Sequence, residues 1–311
     1  MSSKNNILRR AYKSIAYRAH DLLLTGMKVT SALWPDELYV KTRYRLHFGR
    51  KLDLNYPKSF NEKINWLKMY YVPDFYSTLV DKYEVKKYVA KRIGEECIIP
   101  TLGVWDDADK IDFDSLPSRF VLKCNHNSGK GMYICKDKTK MDVLQVREGL
   151  RKGLEEKFYA MAHEMQYKNV KPLILAEKYM EDEPDKDLMD YKFFCFNGKA
   201  KFCKVDFDRF VGHHANYYDL DWNILPFGEL VCLPDPQKQI DCPASFDKMV
   251  QIAELLAEEL PFVRVDLYNI KGHIYFGELT FTPNGGMGPF VPDEWDYKIG
   301  DYLSLPEPII K

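Results

Sequence analysis

Several features are missing from this 311-residue sequence, and each absence narrows what the chain can be. The seven cysteines, at 97, 124, 135, 195, 203, 232 and 242, form no C-x-x-C pair and no dense framework. A disulfide-stapled scaffold is thereby excluded, and free thiols in a reducing compartment are expected. No window approaches the roughly 18 to 20 apolar residues that span a bilayer. The N-terminus lacks the continuous apolar core of a secretory signal, so the expected location is the cytoplasm. A formal charge of −1 gives no general affinity for nucleic acid. Internal repeats are absent, as are the G-x-x-x-x-G-K-[ST] and G-x-G-x-x-G phosphate motifs.

What is present describes a globular chain. Apolar residues make up 46% and charged residues 29%, enough for one large domain or two modest ones. Residues 1–50 hold ten Lys or Arg against three acids, so the remainder carries −8, and metal and nucleotide chemistry is expected there. From 7 to 23, Leu8, Tyr12, Ile15, Ala19 and Leu22 form a helical stripe, with Arg9, Arg10, Lys13 and Arg18 on other faces. Such a basic amphipathic helix either packs on its own domain or lies on an anionic surface, here the inner face of the cytoplasmic membrane.

Ser59 followed by Glu62 is a capping box, so a helix starts there. A second helix is expected over 81–93, opened by Lys82. From Ile98 short strands follow: IIPTLGVW, FVLKC before a glycine-bearing loop, and PLILAEKYM, whose uniformly apolar run suits a strand buried on both faces. The order of helices, mixed elements and then mostly antiparallel strands argues α+β rather than a doubly wound parallel sheet.

Residues 264–280, RVDLYNIKGHIYFGELT, read as a hairpin. A three-residue loop of Lys271, Gly272 and His273 would pair 270 with 274 and set Asp266 opposite Glu278, with Arg264 and Thr280 on the same face. Like charges across a ladder repel by a few tenths to about 1 kcal/mol, so a cation is expected between them. A hard divalent ion bridging to phosphate answers this, and so does a solvent-facing strand whose acids pair with lysines. In VLKCNHNSGKGM, residues 128–131 let backbone N–H groups approach an anion. Glu177 to Met180 offers strand-end backbone to an adenine edge, with Met180 on the ring, although taken alone the stretch reads more readily as plain core. Lys192 reads equally as a phosphate contact or an edge-strand lysine, and Arg209 equally as a carboxylate clamp or a surface residue. His213 and His214 have no partners at zinc-ligand spacing. For Tyr217, Tyr218 and Trp222, core packing outweighs stacking on a sugar.

Seven segments in order, FNEKINWLK, LVDKYEVKKYV, FVLKCNHNSG, LAEKYM, DYKFFCFNGK, FVRVDLY and FGELTFTP, resemble the TupA-like ATP-grasp family of polysaccharide and teichuronopeptide synthesis. The resemblance implies an ATP-grasp fold, with nucleotide held between a small α+β lobe (76–172) and a larger, mostly antiparallel lobe (173–311) behind a helical N-terminal region (1–75). It implies ATP and Mg²⁺ as cofactors. The implied activity is a ligase forming an amide between an acidic sugar or polysaccharide and an amine; a glycan kinase and a non-catalytic ATP-binding partner are the alternatives. By resemblance Lys82 and Lys123 hold phosphate, and residues 125–131, with Asn127, Ser128, Gly129, Lys130 and Gly131 as the contacts, close over it; Lys192 stays a further candidate contact. Glu177, Lys178, Tyr179 and Met180 form the adenine hinge, and the ribose acid lies among Asp182, Glu183 and Asp185. Asp266 and Glu278 match the metal ligands; Arg264, Lys123 and Arg209 are the catalytic candidates. Many ATP-grasp enzymes carry Glu-x-Asn where this chain has Glu278-Leu279-Thr280. The third ligand is therefore Thr280, acting through water, or Asn284 reaching in.

Overall fold

The computed structural model describes residues 24–27, 29–182, 188–208 and 212–309. The basic helix expected at 7–23, Glu183, Asp185 and Arg209 lie outside the described residues. Helix α1 (Asp36–Phe48) ends at Gly49, whose φ of +68° favours glycine. Helix α2 (Phe60–Tyr70) starts at Ser59 with both halves of the capping box formed. The helix expected from Asp81 is shorter and preceded by another: α3 (Tyr76–Val80) and α4 (Glu84–Ile93). The Asp81 carboxylate accepts the N–H groups of Tyr83 (2.8 Å) and Glu84 (3.3 Å). That cap holds the backbone outside the helix, so Lys82 sits in the turn rather than in α4.

Strands β1 (Thr101–Trp105), β2 (Phe120–Cys124), β3 (Tyr133–Cys135) and β4 (Ile174–Lys178) make an antiparallel sheet in the order β1-β4-β2-β3. Helix α5 (Val143–Leu154) buries Val146 and Leu150 against Phe120, Leu122 and Ile174; the short α6 (Phe158–Ala162) follows it. The boundary expected at 172/173 is not where the two sheets divide, because β4 is an inner strand of the smaller sheet. Its apolar run reflects that position, paired on both sides.

The larger antiparallel sheet contains β5 (Asp190–Phe196), β6 (Lys199–Phe207), β7 (His214–Tyr218), β9 (Phe262–Ile270) and β10 (His273–Thr280), in the order β10-β9-β5-β6-β7. A two-stranded pair, β8 (Gly228–Glu229) with β11 (Phe290–Val291), stands beside it, and α7 (Phe246–Ala257) and α8 (Glu294–Gly300) complete the fold. Side chains alternate across each strand. Phe193, Cys195, Val205, Val263 and Val265 face α7 together with residues of α3 and α4, so 76–93 packs on the larger sheet and not the smaller one. The opposite face is apolar at one end, where Phe194, Phe196, Phe202 and Phe262 meet Phe60 of α2. At its other end it carries Lys192, Lys204, Asp206, Arg264 and Asp266. Among the described residues no helix is long and apolar enough to cross a membrane.

Candidate active site

The charged end of that face is built on the β9–β10 hairpin. Its turn has two residues, not three: Lys271 (φ +52°) and Gly272 (φ +82°) both lie in the left-handed region, and Ile270 pairs with His273. Alone, this would set Asp266 opposite Gly277. A bulge between Phe276 and Glu278 restores the Asp266–Glu278 pairing, with Arg264 opposite Thr280. The expected pair is therefore present through two compensating departures. The bulge needs glycine, since a Cβ at 277 would lie 2.9 Å from the Asp266 carbonyl oxygen and 3.1 Å from the Tyr268 ring. Gly277→Ala is expected to cost about 1–3 kcal/mol, read by urea denaturation; an unchanged midpoint would count against the bulge.

Arg264 supplies the cation between the acids. Its Nε and Nη2 donate to Asp266 Oδ1 and Oδ2, both at 2.7 Å, and Nη2 lies 3.3 Å from Glu278 Oε1 and 3.0 Å from Thr280 Oγ1. Lys192 Nζ is 3.1 Å from Asp266 Oδ2 and also pairs with Asp190 and with Asp206, the latter at 3.3 Å. These side chains answer the repulsion that the sequence assigned to a divalent ion. The solvent-facing strand is also overturned, because Asp266 is 2% exposed. Lys192 is no edge-strand lysine: β5 is the middle strand of five, and its own register sets Lys192 between Asp266 and Lys204.

The two acids differ in surroundings. Burial pushes the Asp266 carboxyl above the ordinary range, against the pull of Arg264 and Lys192. Burial acts the same way on Glu278, but Lys82, Arg264, Lys192 and Lys123 outweigh it and hold the group down at about 2. Two of those cations come from outside the larger sheet. Lys82 donates from Nζ to the Asn127 carbonyl and from its backbone N–H to the Asn125 carbonyl (3.2 Å), and burial lowers its pKa. Lys123, on β2, reaches Glu177 Oε2 at 2.6 Å. The phosphate-binding candidates and the metal-ligand candidates thus share one cleft.

The glycine-bearing loop has two halves. Asn125, His126 and Asn127 are buried anchors: the Asn125 side chain bonds the Lys171 carbonyl (2.9 Å) and the Leu173 N–H (2.8 Å), and Asn127 Nδ2 donates to the Gly153 carbonyl (3.1 Å). Asn127 is therefore committed to holding the loop, with its side chain turned from the cleft. Ser128, Gly129 and Lys130 are exposed, and Gly129 and Gly131 have φ of +84° and +70°.

Lys123 also lines a cavity of 240 Å³. Its lining includes Ile99, Val121, Ile134, Tyr179, Met180 and Tyr268. Glu177 lines it as well, but as a buried carboxylate paired to Lys123 and Lys86 at 2.6 Å each; Lys178 is exposed. Burial raises Glu177, and the two lysines more than reverse that, leaving it below the ordinary range. Lys86 was missed in the sequence; it lies in α4, and only the fold brings it to Glu177 on β4. Arg119 was missed too; it grips Glu181 through two nitrogens, at 2.6 and 2.7 Å, and lies 4.3 Å over the Tyr179 ring. No local pattern in RFVLK marks it.

Other candidates sit elsewhere. Asn284 donates to Glu229 Oε1 (3.0 Å) instead of joining Asp266 and Glu278. Asp182 accepts the Lys271 N–H (2.9 Å) at the hairpin turn. Tyr217 and Tyr218 are buried, with Trp222 stacked on Tyr218 at 4.4 Å, which is core packing. Hard oxygen donors suit Mg²⁺. Glu278, with its side chain 44% exposed, offers one directly, whereas Asp266 can join only if Arg264 or Lys192 releases an oxygen.

No curated protein matches the chain. Among solved structures it is similar to a D-alanine–D-alanine ligase from Bacillus anthracis complexed with ATP (16% identity, 66% of this chain and 54% of that one, TM-score 0.37). It is similar to the D-alanine–D-alanine ligase of Helicobacter pylori (14%, 73% and 61%, TM-score 0.36). It is also similar to the ATP-grasp ligase PsnB complexed with a minimal precursor, Mg and ADP (11%, 71% and 57%, TM-score 0.38). The chain thus spans a little over half the length of these structures. The family described as TupA-like ATPgrasp matches residues 62–304, most of the chain, and includes the hairpin acids, the lysines and the hinge. The chain therefore belongs to the TupA-like ATP-grasp family.

Proposed function

We propose that the chain is an ATP- and Mg²⁺-dependent carboxylate–amine ligase acting on a uronic-acid-containing sugar or polysaccharide. The observation that carries this is that Lys82 and Lys123 from one wall of the cleft and Arg264 and Lys192 from the other converge on Glu278, which holds its carboxyl below the ordinary range. Such an arrangement keeps an ionised oxygen donor beside positive charge suited to phosphate oxygens. In the proposed reaction a substrate carboxylate oxygen attacks the γ-phosphorus, ADP leaves, and an acyl phosphate results. An amine then attacks the acyl carbon; phosphate departs and the amine loses a proton. Lys82 and Lys123 bind and orient the phosphates, and Arg264 is placed to meet charge on the transferred group. The exposed Ser128 to Lys130 stretch covers the phosphates and excludes water. Tyr179 and Met180 border the base. Bound at Glu278, with Asp266 freed from one of its partners, Mg²⁺ would supply further neutralisation of phosphate charge.

Hydroxylamine tests the chemistry. With ATP, Mg²⁺ and a uronic-acid glycan, a hydroxamate is expected together with ADP, because an acyl phosphate is trapped. ADP release with a stable phosphate ester and no hydroxamate would replace the ligase by a sugar kinase.

A further inference from the structure

We propose that Asp206, His213 and Cys232 form a second metal site, separate from Asp266 and Glu278, that takes zinc. The three lie 7 and 19 residues apart in sequence, so no motif marks them, and His213 has no zinc-ligand spacing to any neighbour. The fold brings them together. Asp206 sits near the end of β6, His213 immediately precedes β7, and Cys232 lies just beyond β8 in a turn closed by its N–H to the Glu229 carbonyl (3.1 Å). One ligand atom from each lies within 4.8 Å of the other two. His213 Nε2 is 3.1 Å from Asp206 Oδ1, and Cys232 Sγ is 3.6 Å from the His213 carbonyl oxygen, so adjacent backbone presents imidazole and thiol together.

The donor set decides the metal. A thiolate, an imidazole and a carboxylate form a borderline-soft trio that suits Zn²⁺ and disfavours Mg²⁺. Zinc bonds of about 2.0–2.3 Å need only a modest closing of such a triangle. The groups behind are fixed: Lys192 lies 3.3 Å from Asp206 Oδ2, orienting the carboxylate, and His214 Nδ1 is committed to the Leu233 carbonyl at 3.1 Å. Asp206 and Cys232 are buried, while the His213 side chain is 41% exposed. Three protein ligands therefore leave a fourth position on the solvent side for water or a small oxygen or nitrogen donor. On binding, the thiol proton leaves to solvent and the imidazole keeps its proton on Nδ1.

The test uses the full chain, stripped with a chelator, dialysed against zinc and analysed for bound metal, with no dependence on turnover. Close to one zinc ion per chain is expected, lost in Cys232→Ser and in His213→Gln but kept in Cys242→Ser, which removes the exposed cysteine. Cobalt in place of zinc should give a near-ultraviolet thiolate-to-cobalt band that disappears in Cys232→Ser; a metal at Glu278 gives no such band. His213 is on the surface, so its variant reports even if Cys232→Ser fails to fold. No retained zinc, or zinc retained undiminished in the His213 variant, overturns the proposal.

Discussion

Glu278→Gln lowers turnover by about 10²- to 10³-fold, because it removes an ionised oxygen donor from the cleft it shares with Lys82, Lys123 and Arg264. Its side chain is partly open, and Arg264 retains both oxygens of Asp266. Asp266→Asn loses at least as much activity, but for two reasons at once. Asp266 is almost fully buried and shared by Arg264 and Lys192, so the neutral amide leaves two buried cations short of an acceptor. Breaking a buried pair of this kind costs about 3–5 kcal/mol. Steady-state ADP release and urea denaturation, measured on both variants, separate the effects: Glu278→Gln should lose rate with the smaller loss of stability, and Asp266→Asn rate with the larger. Wild-type turnover in Glu278→Gln would remove that group from the chemistry.

This asymmetry between the two acids was not legible in the sequence. Alternation in RVDLYNIKGHIYFGELT gave the right facing pair only because the bulge offsets the shorter turn; the turn alone would have put Glu278 on the other face. It gave no sign that Gly277 bulges to offset a two-residue turn, nor that Arg264 folds back onto Asp266 two positions away on its own strand. Lys192 shows the same limit. In DYKFF it reads as an ordinary strand lysine, and only the pairing of β5 with both β6 and β9 surrounds it with Asp190, Asp206 and Asp266. The capping box at Ser59, the α+β order and the glycine-bearing loop were readable because each rests on residues close in the chain. The split between anchored and exposed halves of that loop depends on the distant Gly153 and Leu173, and so was not.

The second large effect is at Glu177. Glu177→Gln should destabilise the protein by about 3 kcal/mol at pH 7, the low end for a broken buried pair. Lys86 keeps the Ile99 carbonyl at 2.9 Å and Thr101 Oγ1 at 2.7 Å, which softens the loss. The sign with pH follows from the carboxyl being lower folded than unfolded. Its stabilisation is complete above the unfolded value of about 4.3 and is lost as pH falls through the lower folded value. Chemical denaturation of wild type and variant should therefore show a gap that is constant from pH 7 to about 5 and narrows below about 4. A gap that widens on acidification would mean that the two lysines do not hold Glu177 ionised.

In the proposed function one cleft grips a magnesium nucleotide between the lysines and the hairpin acids. Calorimetric titration of a non-hydrolysable ATP analogue with Mg²⁺, into wild type and Lys123→Met, tests it most directly. Saturable one-to-one binding is expected, weakened at least about tenfold, or roughly 1.4 kcal/mol, in the variant. No saturable heat with the wild-type protein, or equal affinity in both, would contradict it.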